Sequence, residues 1–322
     1  GHTLRIHSHP TRTLVLWSIL IGLSVCLVHV ISLPNGFHLD DHHSIQRNTH
    51  IQNFSLWQFL VDPETFSADP SYAMWRPAVV TSLALNFAIG GYSSPGYIAA
   101  NLGIHALTSV VAFRLFVLFG IGLSGSILGA LTFGLHPLNT EVINYINTRS
   151  ESLCGLFYLT AFYGFLRAQL SRETPGTSDT NTWAWLSAFS FCLALLSKEI
   201  AVTLPFAILL YKWTTAGQQV SWVTLGGRKR VTNILPYFLI LILYFIVRQL
   251  VIGNILGNFV RSWVSQFATQ SKALMYYVVK VIFPMTLNIT PQFAEAPDFW
   301  AITPIIAVPT IIGATVVAVR FR

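Results

Sequence analysis

Apolar stretches of about fifteen to twenty-five residues recur along the whole chain, a spacing that suits segments crossing a bilayer. In hydrocarbon the backbone has no water to bond, so only helices or a closed barrel satisfy its N–H and C=O groups. Runs such as Leu14 to Leu33 and Ile234 to Val247 lack strand-like alternation, which selects helices. Composition agrees, because a soluble chain of 322 residues with 53% apolar and 10% charged residues could not hide its apolar surface. The fold class expected is an all-α, polytopic membrane helix bundle of about 8 spanning helices plus one or two half or interfacial helices. Cys26, Cys154 and Cys192 fall inside apolar runs without paired spacing and read as small core residues.

Lysines and arginines near helix ends set orientation, and Arg5 and Arg12 place the N-terminus inside, in the cytoplasm. The first apolar run has no small-residue cleavage site before Pro34 and reads as a retained anchor. It leaves residues 34–75 as a large first outside loop, rich in acidic side chains. The basic triplet Arg228, Lys229 and Arg230 belongs inside, and counting helices backward from it puts His136 to Glu151 outside. Counting forward through runs near 77 to 91, 96 to 119 and 122 to 135 puts the same loop inside. The backward count is preferred, because the short, Gly/Ser-rich run from Ile121 to Leu135 suits a half-helix that does not span. Residues 299 to 320 form a last helix, and residues 254–298 lie outside or re-enter. Within them, Phe259 to Phe283 suits an amphipathic interfacial helix. The whole of 1–322 reads as one transmembrane domain, compatible with a fragment of a longer protein.

Four polar clusters interrupt the apolar runs, and polar groups at membrane depth are functional candidates. The first is Phe37-His38-Leu39-Asp40-Asp41-His42-His43, where adjacent carboxylates tend to raise one pKa and could supply a general base. It reads equally as a solvated helix end or a loose divalent-cation site. The second is Trp75-Arg76-Pro77, followed by Asn86, Asn101 and His105. Arg76 either snorkels to headgroups or binds phosphate, and Asn101 and His105, four apart, form a polar seam on one helix face. The third runs from His136 through Thr140-Glu141 to Arg149-Ser150-Glu151, and is a dense hydrogen-bonding cluster or a capped helix start. The fourth is Ser197-Lys198-Glu199, an ion pair or a phosphate-holding lysine.

In this order the clusters resemble the membrane domain of the transmembrane-and-tetratricopeptide-repeat O-mannosyltransferase family and its bacterial relatives, within the GT-C class of glycosyltransferases. The matching strings are Asp40-Asp41 with Ile45 and Asn48; Arg76-Pro77 with Asn86, Gly90, Asn101 and His105; His136-Pro137 with Thr140-Glu141 and Arg149-Ser150; and Ser197-Lys198-Glu199 with Leu204-Pro205. Ile98, after Tyr97, stands where the family pattern has a histidine. The resemblance implies transfer of mannose or a similar sugar from a polyprenyl or dolichyl phosphate to a protein hydroxyl on the outer face. Asp40, seconded by Asp41, would be the base. Arg76, Arg149 or Lys198, next to Glu199, would hold the lipid phosphate, and Glu141 and His136 would orient the acceptor or Asp40.

No metal ligand set is legible, although a divalent ion near Asp40 and Asp41 is compatible with the carboxylates. The partners implied are membrane lipids, the lipid-linked sugar phosphate, and a protein acceptor or subunits of a membrane complex. Nucleic acid is excluded, because the net charge of +7 comes from dispersed orientation signals. A bacterial inner membrane is favoured over the endoplasmic reticulum. The rival reading is a catalytically silent GT-C-like assembly subunit. A transporter would need an inverted repeat or broken helices at the midplane.

Overall fold

A computed structural model describes residues 10–173, 180–215, 233–253 and 262–288. Arg5, the Arg228 to Arg230 triplet, the expected helix at 299 to 320, and Ile289 and Thr290 lie outside the described residues. All regular structure among the described residues is helical. The chain divides into two units, Gly1–Ile255 and Leu256–Arg322, a division that falls at the start of the segment 254–298. The first unit holds α1 (Thr11–His29), α2 (Leu56–Val61), α3 (Pro77–Gly90), α4 (Ser94–Leu118), α5 (Leu123–Leu135), α6 (Thr140–Asn144), α7 (Arg149–Glu173), α8 (Thr180–Leu195), α9 (Leu204–Thr215) and α10 (Leu235–Ile252). The second holds α11 (Trp263–Ile282).

Three helical stretches, Thr11–Ser32, Ser94–Leu118 and Leu235–Ile252, are long and apolar enough to cross a membrane. Prolines open α3, α4 and α10, where a missing N–H costs nothing. Residues 34–75 are a chain of short turns with one short helix, α2. Their polar side chains cap these elements: Ser55 accepts from the Gln58 amide, Asp62 from Glu64 and Asp69 from Ser71.

The path of the chain follows from its contacts. α1 ends at the face that carries the 34–75 loop. α4 leaves that face, and Phe119 beyond its end meets Phe162 and Tyr211 at the opposite side. α5 returns, running from Phe116 at the far side to Val25 and His29 near the end of α1. α7 leaves, α8 returns so that the Leu196 carbonyl meets the Ala78 amide, α9 leaves, and α10 brings Arg248 back to Glu199.

Both α3 and α5 are shorter apolar helices than the three long ones, and α5 covers the run Ile121 to Leu135 expected as a half-helix. Both ends of α3 sit on the loop face. Its start is held by Arg76 against Ser150 and Glu199. Past its end, Tyr92 accepts from Gln52 and Ser94 donates to the Asn35 carbonyl. Buried Arg149 bonds the Ser82 carbonyl and the Asn86 side chain on α3, while the Ser82 hydroxyl donates to the Val79 carbonyl. His136 to Glu151 shares a face with residues 34–75, since Asn144 accepts from Asn35 and Asn147 reaches Asp40 and Asp41.

Lipid tails are as apolar as Leu, so helix association rests on close packing through small residues. A Cβ on Gly134 would stand 2.6 Å from Val25 and 2.8 Å from the Ser109 hydroxyl, which shows how closely α5 approaches α1 and α4. A Cβ on Gly164 would lie 3.0 Å from the Trp183 carbonyl, and the α7–α8 contact depends on its absence. In the second unit, Ser262 caps α11, and Trp263, Val264, Phe267, Leu274 and Tyr277 are exposed along it, the amphipathic character expected there.

Candidate functional site

The strings singled out in the sequence meet at the loop face of the first unit. Residues 38–48 form a tight knot after α1, in which a π-type turn, His42–Gln46, follows Asp41. Leu39 has φ 47°, a left-handed conformation costing about 1–2 kcal/mol for a side-chain-bearing residue. It turns the chain so that neighbouring carboxylates diverge.

Asp40 is half exposed, with its Oδ2 3.5 Å from Asn147 Nδ2 and its Oδ1 3.5 Å from His43 Nε2. Asp41 is fully buried and accepts from the His38 amide at 3.0 Å and the Asn147 amide at 2.7 Å. Burial raises its pKa, and these amide bonds only partly oppose the rise. The two aspartates thus hold different places: one carboxylate faces solvent and the other ties loops together. Ile45 is fully buried, and buried Asn48 donates to the Ser44 and Thr65 carbonyls, so these motif residues build the knot.

A second group lies along the segment that follows Asn147. Arg76 Nη2 stands 3.1 Å from Glu199 Oε2 and Arg76 Nη1 donates to Ser150 at 3.3 Å. Arg248 reaches the other Glu199 oxygen at 3.3 Å, so one carboxylate bridges two guanidinium groups. Lys198 pairs with Glu151. Burial pushes the Glu199 carboxyl upward, but the Arg76 and Arg248 charges outweigh it and the net pKa is lowered. Glu141 moves the other way: burial and then the Glu151 charge raise it, against a smaller pull from Lys198.

Arg149 is placed differently from the expected phosphate ligand. It is 1% exposed and its donors are already engaged, by Asn101 Oδ1 and the Tyr97 carbonyl at 2.7 Å each, the Ser82 carbonyl at 3.4 Å, and Asn86. It staples α3, α4 and the start of α7, and the polar seam residues Asn86 and Asn101 are its acceptors. His105 is separate from that seam. Its Nε2 lies 3.0 Å from the Gly134 carbonyl, which His29 also approaches at 3.2 Å. His136 caps its own turn, Nδ1 accepting from the Leu138 amide at 3.2 Å.

Three residues beside these groups were not singled out as site residues from the sequence. Arg248 sits in an apolar run that reads only as a span. Tyr145 and Asn147 lie inside the third cluster, yet only the fold turns them toward Asp40. The Tyr145 phenol is pushed up in pKa by burial and by the Asp40 carboxylate it faces. Among the described residues no group of three or more His, Cys, Asp or Glu is arranged to hold a metal ion.

No family model matches the chain. Among curated proteins it is 29% identical over 206 residues to protein O-mannosyl-transferase TMTC4 of Homo sapiens, covering 58% of this chain and 28% of that protein. The Mus musculus TMTC4 is 27% identical over 217 residues, 61% of this chain and 29% of the relative. Homo sapiens TMTC3 is 27% identical over 185 residues, 56% and 20% respectively. The chain thus spans less than a third of the length of these curated relatives. All three come from mammals, so the bacterial inner membrane favoured from the sequence finds no support in them. With the four polar strings gathered on one face of an all-α membrane bundle, the chain resembles the TMTC protein O-mannosyltransferases.

Proposed function

We propose that this chain is a GT-C type integral membrane glycosyltransferase that moves mannose or a similar sugar from a polyprenyl or dolichyl phosphate to a protein hydroxyl. The observation that carries the reading is the placement of an exposed carboxylate, Asp40, on the same short segment as a cationic cluster. Asn147 reaches Asp40, and three and four residues on, Ser150 and Glu151 bond Arg76 and Lys198.

Asp40 takes the proton of a Ser or Thr hydroxyl, and the freed oxygen attacks the anomeric carbon. The bond from that carbon to the lipid phosphate oxygen breaks, with inversion, and the phosphate leaves as an anion. Arg76, Lys198 and Arg248 carry three positive charges against the two carboxylates they pair with, Glu151 and Glu199. This leaves positive potential for the developing phosphate charge, stronger at a low-dielectric edge than in water. Asp41 and Arg149 hold the scaffold, while His136 and Glu141 line the acceptor side.

Charge distribution supports a site outside the cytosol. Among the described residues the acidic side chains gather on the site face, with Glu173 at the far end of α7 the exception, whereas Arg12, Arg114, Arg167, Arg172 and Lys212 lie toward the opposite face. Basic residues mark the cytoplasmic side.

A second reading, an inactive scaffold subunit, draws on the fact that Lys198 and Arg76 already have carboxylate partners. Purified chain, dolichyl-phosphate-linked radiolabelled mannose and a Ser/Thr peptide decide between them. The transferase reading expects transfer that falls about 10²–10⁴-fold in Asp40→Asn, the range for loss of a general base, with donor binding retained. Donor that neither binds nor transfers favours the scaffold, and an Asp40→Asn variant as active as the parent removes Asp40 as base.

A further inference from the structure

Asn53, Phe54 and Ser55 lie in the first outside loop, between the turn Thr49–Gln52 and α2, away from the carboxylates of the site. The tripeptide has the acceptor pattern for N-linked oligosaccharide, a pattern common by chance, so its geometry and location must carry the argument. Asn53 has φ −111° and ψ 96°, and Ser55 has φ −139° and ψ 93°. The segment bends at Asn53, and Phe54 meets the Phe59 ring edge-on at 5.8 Å, which anchors the tripeptide to α2 beside the exposed Asn53.

The Asn53 amide is exposed and has no hydrogen-bond partner among the described residues, unlike buried Asn48 and Asn101, whose amides are engaged. Ser55 accepts a long bond, 3.4 Å, from the Gln58 amide as the cap of α2, which leaves its O–H free to donate. The loop lies on the acidic face of the bundle, opposite the basic helix ends.

We propose that Asn53 is an N-glycosylation site. The co-reactant is a lipid-diphosphate-linked oligosaccharide, supplied by the host's oligosaccharyltransferase. Asn53 Nδ2 forms a bond to the anomeric carbon and loses one proton, and the bond from that carbon to the diphosphate oxygen breaks, releasing the lipid diphosphate. Ser55, two positions on, is the hydroxyl the transferring enzyme engages. A bulky, solvated glycan suits this position, because Asn53 is exposed. The proposal rests on the sidedness given under the proposed function and is independent of the transfer chemistry at Asp40.

The experiment expresses the full chain in animal cells and follows its gel mobility before and after an endoglycosidase that removes N-linked glycans. The expected result is one discrete downward step on digestion that is absent in Asn53→Gln and in Ser55→Ala. The comparison separates Asn53 from Asn288, which begins the other such tripeptide. A parent chain with no step, or a step that persists in Asn53→Gln, overturns the proposal. An Asn53→Cys variant labelled with a membrane-impermeant maleimide in sealed microsomes, against the background of the unsubstituted chain, then separates two failures. Labelling only after permeabilisation leaves the sidedness standing while the modification is wrong. Labelling of sealed microsomes overturns both.

Discussion

The backbone amide of Asn147 donates to the Asp41 carboxylate at 2.7 Å, joining two loops 106 residues apart in the chain. Asn147 extends its side chain to Asp40 from the same position, so one residue sets the placement of both aspartates. The buried carboxylate holds the loop that holds the exposed one. Asp40 and Asp41 differ in environment although they are adjacent in sequence, and their expected mutational responses differ accordingly.

Asp41→Asn puts an amide NH₂ where two backbone N–H groups converge, and one of them loses its acceptor. An unsatisfied buried polar group costs roughly 1–3 kcal/mol. Thermal unfolding in detergent should show this loss, together with reduced transfer. In Asp40→Asn the melting temperature should stay near that of the parent. If the two variants melt alike, the division of roles between them is wrong.

Arg149→Lys keeps the charge and removes the fork that spans α3, α4 and α7. A lysine ammonium cannot reproduce a planar guanidinium whose nitrogens bond acceptors on both α3 and α4. With charged hydrogen bonds worth about 1.5–3 kcal/mol each, the loss should exceed that of any single surface change. A variant that melts like the parent but no longer binds the lipid phosphate would return Arg149 to the role expected from the sequence.

Glu199 should tie stability to pH. Its folded pKa lies below the ordinary value of 4.5, so folding favours its ionised form. That contribution is complete above the ordinary value and is lost as pH falls through the lower, folded one. The gap in melting temperature between the parent and Glu199→Gln should therefore be full at neutral pH and close below 4.5. Glu141 has the opposite sign. Its raised value makes the folded state disfavour its ionised form, and Glu141→Gln should help most at neutral pH, where that charge is otherwise carried.

Gly134→Ala tests the crossing of α5. The new methyl would meet Val25 at 2.6 Å and Ser109 at 2.8 Å, both on helices that cannot move independently. Overpacking of this kind costs about 1–3 kcal/mol. Gly129→Ala, whose Cβ would meet only the Phe116 ring at 3.0 Å, should be milder. Equal melting of the two would mean that α5 is not wedged between α1 and α4.

Element type and position follow from sequence alone, because an apolar run in lipid has no alternative to the helix. The stretches read near 77 to 91, 96 to 119 and 122 to 135 correspond to α3, α4 and α5 within a few residues. The four polar strings were equally visible, since charged and amide side chains stand out against apolar runs. How α3 is held was not legible, because its end is tied to the loop face by Arg149, far along the chain, through the Ser82 carbonyl and the Asn86 side chain. The same limit applies within the site. Local pattern places Asp40 beside Asp41 and Arg149 among the candidate phosphate ligands, but burial and partner geometry depend on residues 48 to 106 positions apart. Only the tertiary structure turns Asp41 inward onto Asn147, saturates Arg149, and brings Arg248 out of an apolar helix to Glu199.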